Sequence, residues 1–119
     1  MTGWSAGGIL TWATILQRPE ELAAAAPACA NFVPEVIGLV SAAPERATLR
    51  VKAFQGSHDP ARTALEAQFV AARQLGEANG FAGISSDLVG DENHSACPLS
   101  VMRFFEEIRS GAASAPTQH

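Results

Sequence analysis

The chain has 119 residues, 47% of them hydrophobic and 17% charged, which sets it apart from disordered chains and allows one modest core. Its formal net charge of -4, with no basic cluster, argues against a nucleic acid or an anionic membrane surface as partner. No apolar run reaches the length of a membrane span.

Met1 and Thr2 read as the tail of a strand, and Gly3-Trp4-Ser5-Ala6-Gly7-Gly8 follows directly. This stretch fits Gly-x-Ser-x-Gly, in which a serine sits on a strained strand-to-helix turn and holds its hydroxyl clear of the sheet. Small neighbours let the backbone bend there. The N–H of the next residue, Ala6, then points toward a developing oxyanion. The other reading is an Ala/Gly-rich helix start with Ser5 as its cap. A helix follows in either case: Ile9, Trp12, Ala13 and Leu16 recur at helical spacing, and Pro19 stops the run at Arg18.

Leu22 to Cys29 is rich in alanine, which favours helix, but Pro27 counts against a long one. We read a short buried strand, parallel to the strand before Ser5 and joined to it by a right-handed crossover. Residues 31–47 are irregular, punctuated by Pro34, Gly38 and Pro44, with room for a short helix. This segment follows the C-terminal end of a strand, where open α/β sheets bind ligands. Phe32 and Val33 are therefore either a wall of a substrate pocket or ordinary core, and Trp4 beside the serine is a third substrate-binding candidate.

Thr48 to Phe54 alternates apolar with polar or small residues and ends at Gly56, the clearest strand pattern in the chain. The loop Gly56-Ser57-His58-Asp59-Pro60 leads into a helix expected from about Pro60 to Asn79, with Leu65, Phe69 and Ala72 on one face. Gly83 to Gly90 reads as another strand, followed by the loop Asp91-Glu92-Asn93-His94-Ser95-Ala96-Cys97. Pro98 opens a last helix, with Val101, Phe104, Phe105 and Ile108 at i, i+3, i+4, i+7. The partial α/β domain thus spans residues 1–109, and 110–119 read as a disordered tail.

Ser5, Asp59 and His94 each follow a strand, so all three fall at the C-terminal edge of one parallel sheet. Serine hydroxyl is a poor nucleophile until a base takes its proton, and imidazole titrates near neutrality. In this pattern His94 takes the proton from Ser5 and returns it to the leaving group, while Asp59 holds the imidazole tautomer. Asp59 before Pro60 is also a good helix cap. Asp87, Asp91 and Glu92 are reserve acids. His94 has a rival reading as a surface histidine, His58 reads as polar trim beside the acid, and His119 lies in the tail. Cys29 and Cys97 lack metal-ligand spacing, and read as buried thiols or, in an oxidising compartment, a disulfide.

The elbow, with Thr11-Trp12-Ala13, Pro19-Glu20 and Ala24-Ala25-Ala26-Pro27-Ala28-Cys29, resembles the α/β-hydrolase esterases, in particular the predicted esterases related to polyhydroxyalkanoate depolymerases and feruloyl esterases. The acid loop of that family is matched by Gly56-Ser57-His58-Asp59, and its histidine loop by Gly90-Asp91-Glu92-Asn93-His94-Ser95. The family's acid loop continues into Val-Pro, whereas Pro60 follows Asp59 directly here. The resemblance implies the C-terminal part of an α/β-hydrolase fold, about three parallel strands with flanking helices, the strands before the elbow and the loop giving the second oxyanion N–H lying outside the chain. It further implies a serine carboxylester hydrolase working through Ser5, His94 and Asp59, with Ala6 as half of the oxyanion hole, an ester small molecule or polymer as substrate, and no metal or organic cofactor. Peptidase chemistry on the same fold, and a non-catalytic truncated product or α/β binding module, are the alternatives. No secretory leader is visible, and localisation stays open between secreted and cytoplasmic.

Overall fold

The computed structural model describes residues 1–111. Four strands form one sheet: β1 (Thr2–Ser5), β2 (Ala24–Ala30), β3 (Arg50–Gly56) and β4 (Ile84–Val89). They lie in the order β1-β2-β3-β4, and every neighbouring pair is parallel. Three helices flank them: α1 (Gly7–Gln17) between β1 and β2, α2 (Arg62–Ala78) between β3 and β4, and α3 (Pro98–Ser110) after β4. The fold is α/β. Residues 2–5 count as a paired strand in their own right, so there are four strands where three were expected.

A strand order that follows chain order, with crossovers of one hand, puts the crossover helices on the same face. One core cluster accordingly joins Trp12, Ile15 and Leu16 of α1, Ala72 of α2, and Ala25, Val51 and Ile84 of the sheet. The second joins Ala24, Ala26, Ala28 and Phe54 to Val101 and Phe104 of α3 on the opposite face. The alternation of Ala24, Ala25 and Ala26 between the two clusters is the period-2 geometry of a strand covered on both sides. Such a strand reads as a continuous apolar run, and so its pattern was ambiguous with helix in sequence.

Small side chains in β2 let α1 approach closely. A Cβ on Gly8 would stand 2.2 Å from Ala30 Cβ, and one on Gly3 would stand 2.1 Å from Thr11 Oγ1, whereas a Cβ on Gly7 meets nothing within 4 Å. The sequence motif includes Gly7, but sterically the elbow depends on Gly3 and Gly8. Gly8→Ala is therefore expected to destabilise by about 1–3 kcal/mol through overpacking, and Gly7→Ala to do far less. Paired thermal melts of the two variants check this.

The connection from β2 to β3 carries two single 3-10 turns, Pro34–Val36 and Pro44–Ala47, rather than a helix. Helix α2 begins at Arg62, two residues later than expected, because residues 59–61 form a separate turn. Helix α3 extends through Ser110 and closes on Gly111 in the left-handed region, one residue past the expected domain limit. The rest of the expected tail, 112–119 with His119, lies outside the described residues. Among the described residues no helix is long and apolar enough to cross a membrane.

Candidate active site

The C-terminal ends of β1, β3 and β4 bring three distant segments together. Ser5 closes β1 with φ of 56°, a left-handed conformation unusual for a residue with a side chain. The turn is held from β2, where Asn31 N–H donates to the Ser5 carbonyl at 3.0 Å. Trp4 pairs with Ala28 but Ser5 with Ala30, so Cys29 is an extra residue in β2, and it too has positive φ, at 42°. This bulge turns the chain where the serine must leave the sheet.

Asp59 stands in the turn after β3. Its N–H donates to Gly56 O at 3.2 Å and its own carbonyl accepts from Arg62 N–H at 3.0 Å. The two carboxylate oxygens divide their work. Oδ1 accepts the Ala61 N–H at 2.8 Å, and Oδ2 accepts Gln55 Nε2 at 3.1 Å and faces His94 Nδ1 at 2.8 Å. The sequence offered a choice between a cap and an acid. The structure puts Oδ1 on the Ala61 N–H and Oδ2 against His94, although the residue at the cap position of α2 is Ala61, not Asp59.

His94 is carried by the loop after β4, which is bound to the acid loop. His58 N–H donates to Glu92 O at 2.8 Å, and Asp91 N–H to Ser57 Oγ at 3.1 Å. The other ring nitrogen, Nε2, lies 2.9 Å from Ser5 Oγ. Ser5, His94 and Asp59 thus form one continuous hydrogen-bonded chain, across 89 residues of sequence for its first link and 35 for its second. With Asp59 accepting, the proton on the ring sits on Nδ1, which leaves the Nε2 lone pair facing the serine hydroxyl.

Burial pushes the Asp59 carboxyl up, but bonds from His94, the Ala61 N–H, Gln55 and Cys29 outweigh it and hold the pKa below the usual carboxylate value. The acid is therefore ionised throughout the neutral range. The Cys97 thiol, in contrast, is pushed up to about 12, chiefly by burial and then by Cys29 and Glu92 nearby. Both cysteines are free and buried, as the thiol reading expected, with no disulfide between them.

The remaining candidates separate by burial. Ala6 is the N-cap of α1, with no side-chain cap on the helix end. Trp4 is 49% exposed and its ring lies 5.6 Å from the His94 ring, on the open side of the site. Phe32 goes to the core: it is 4% exposed and meets the Trp12 ring edge-on at 6.2 Å. Phe32 is thus packed in the core, and Val33 is half-buried beside it. Asp87, on the exposed part of β4, accepts from the Leu88 N–H next to it. Asp91 and Glu92 shape the histidine loop through their backbones, and His58 is exposed.

Two residues of the site went unnoticed in sequence. Gln55 directs its amide at Asp59, and Cys29 brings its sulfur beneath the same carboxylate. Gln55 sits four residues before the acid at the end of a clear strand, the one local signal available. Cys29 had none, since its position follows from a bulge that only the β1–β2 pairing creates. A partly open pocket of about 160 Å³, lined by Trp12, Phe69, Leu65 and Asp87 among others, also takes in Gln55. Comparison with family models, with curated proteins and with solved structures returns no match to this chain.

Proposed function

We propose that the protein is a serine hydrolase of the α/β-hydrolase type that cleaves carboxylic esters through an acyl-enzyme on Ser5. The observation that carries this reading is the unbroken chain Ser5 Oγ, His94 Nε2, His94 Nδ1, Asp59 Oδ2, with links of 2.9 and 2.8 Å. A base within hydrogen-bond reach of a hydroxyl, itself oriented by a buried carboxylate, is the arrangement that activates a weak oxygen nucleophile.

In the first step His94 Nε2 takes the Ser5 proton as Oγ bonds to the ester carbonyl carbon. The carbonyl oxygen takes the electron pair and becomes an oxyanion, while Asp59 stabilises the imidazolium. The tetrahedral intermediate collapses as the alcohol leaves with the proton from His94, and the acyl group stays on Ser5. Water repeats the sequence with His94 again as base, freeing the acid and restoring Ser5 Oγ–H. The Ala6 N–H at the start of α1 supplies an oxyanion donor, and the positive end of the helix dipole favours the developing charge. Trp4, exposed beside the imidazole, gives the substrate an apolar surface next to the reacting centre.

Intact-mass analysis after treatment with a fluorophosphonate, which captures only activated serines, tests the reading. A single adduct on the chain that is missing from Ser5→Ala is the expected result. A well-folded chain without an adduct overturns it.

A further inference from the structure

The mechanism leaves the thiol beside its carboxylate unused. Cys29 is buried at the bulge of β2, and its Sγ, a carboxylate oxygen of Asp59 and a ring nitrogen of His94 all lie within 4.8 Å of one another. We propose that Cys29, Asp59 and His94 form a second, inhibitory site for a borderline-soft divalent cation, Zn²⁺ in particular, so that metal binding switches the hydrolase off. The inhibition rests on the proposed function; the metal site does not.

Sulfur, imidazole nitrogen and carboxylate oxygen are the three donor types that Zn²⁺ takes, at about 2.3, 2.0 and 2.1 Å respectively. Tetrahedral binding at those lengths places donors about 3.3–3.7 Å apart. His94 Nδ1 and Asp59 Oδ2 stand 2.8 Å apart and the sulfur lies within 4.8 Å of both residues' donors, so closing the site takes small side-chain movements. Cys29 lies within β2, while Asp59 and His94 lie in the connections after β3 and β4, which are hydrogen-bonded to each other through His58 N–H and Glu92 O.

Outer partners are already in place. Gly56 N–H points at Cys29 Sγ at 3.4 Å and Gln55 Nε2 at 3.7 Å, the N–H to sulfur contacts that support a metal-bound thiolate. Asp59 is anchored through its other oxygen by the Ala61 N–H. The His94 side chain is 35% exposed, which gives the ion an approach from solvent and leaves its fourth position for water.

Binding has a definite chemical consequence. Cys29 releases its thiol proton to solvent as the metal–sulfur bond forms. His94 Nδ1 gives its lone pair to the metal, and the proton it carried moves to Nε2 by exchange with solvent. Nε2–H then faces Ser5 Oγ with no lone pair to accept its proton, and the nucleophile is left unactivated.

Titration of the full chain with Co²⁺, a spectroscopic substitute for Zn²⁺, reads the site without any turnover. A sulfur-to-cobalt charge-transfer band that saturates at one equivalent, vanishes on adding Zn²⁺ and is missing in Cys29→Ser is expected. Saturation without that band, in the unsubstituted chain alone, overturns the proposal, so a poorly folded variant does not protect it. In the unsubstituted chain Zn²⁺ should slow ester turnover at least tenfold, with recovery on adding a chelator. Turnover that ignores Zn²⁺ at saturating occupancy refutes the switch. If no sample turns over, the hydrolase reading fails while the cobalt spectrum still decides the metal site.

Discussion

In the proposed mechanism Ser5 and His94 act as one unit, so Ser5→Ala and His94→Ala should each lower ester turnover by about 10⁶, and the double variant by hardly more. Hydrolysis of a chromogenic acyl ester, followed alongside far-UV circular dichroism, provides the measurement. Additive losses in the double variant would mean that the 2.9 Å contact between Ser5 Oγ and His94 Nε2 is a structural bond only. The strained turn supplies an independent readout. A residue with a side chain at φ of 56° costs about 1–3 kcal/mol, and glycine adopts that conformation freely. Ser5→Gly should therefore lose turnover as fully as Ser5→Ala and yet melt at a higher temperature than Ser5→Ala. In the proposed mechanism the strain at Ser5 presents the reacting hydroxyl at a cost in stability, and the glycine and alanine variants separate those quantities.

Asp59→Asn should lower kcat by about 10⁴ while leaving the fold in place. The argument is one of donors and acceptors. Asp59 Oδ1 accepts from the Ala61 N–H, and Oδ2 receives both Gln55 and His94. An asparagine whose oxygen keeps the Ala61 bond must turn its NH₂ toward His94 Nδ1. The imidazole answers by moving its proton to Nε2, and the base no longer faces Ser5 with a lone pair. Steady-state kinetics with a fixed ester substrate check the kcat, and turnover within tenfold of the parent would remove Asp59 from the mechanism. Acid stability should change as well. The folded pKa of Asp59 lies below its ordinary value, so its contribution to stability is full above about pH 4, the unfolded carboxylate pKa, and fades as pH falls through the folded value. Asp59→Asn removes that contribution, and the loss of stability against its parent should shrink below about pH 4.

Asp59 also illustrates how one residue carries two local signals. The sequence Asp59-Pro60 looks like a helix start, and residues 59–61 do form a capped turn through the Ala61 N–H. The helix itself waits until Arg62. The turn takes one carboxylate oxygen and leaves the second to face His94.

Local physics made much of the protein readable from its residues. The alternation before Gly56 marks β3, the i, i+3, i+4, i+7 spacing after Pro98 marks α3, and the Gly-rich turn followed by Trp12 and Leu16 marks the elbow and α1. Each depends on a period or a turn within a few residues, and chain order then placed Ser5, Asp59 and His94 at strand ends. Tertiary structure decided everything that depends on register and reach. The pairing of β1 with β2 makes Cys29 a bulge and puts its sulfur beneath Asp59. Packing of β2 against α1 makes Gly8 rather than Gly7 the constrained glycine, and draws Phe32 into the core against Trp12. The chain Ser5–His94–Asp59 closes only because a four-stranded parallel sheet in sequential order brings its strand ends to one edge. Side-chain distances between loops 89 residues apart are a property of that sheet, and no residue along the way encodes them by itself.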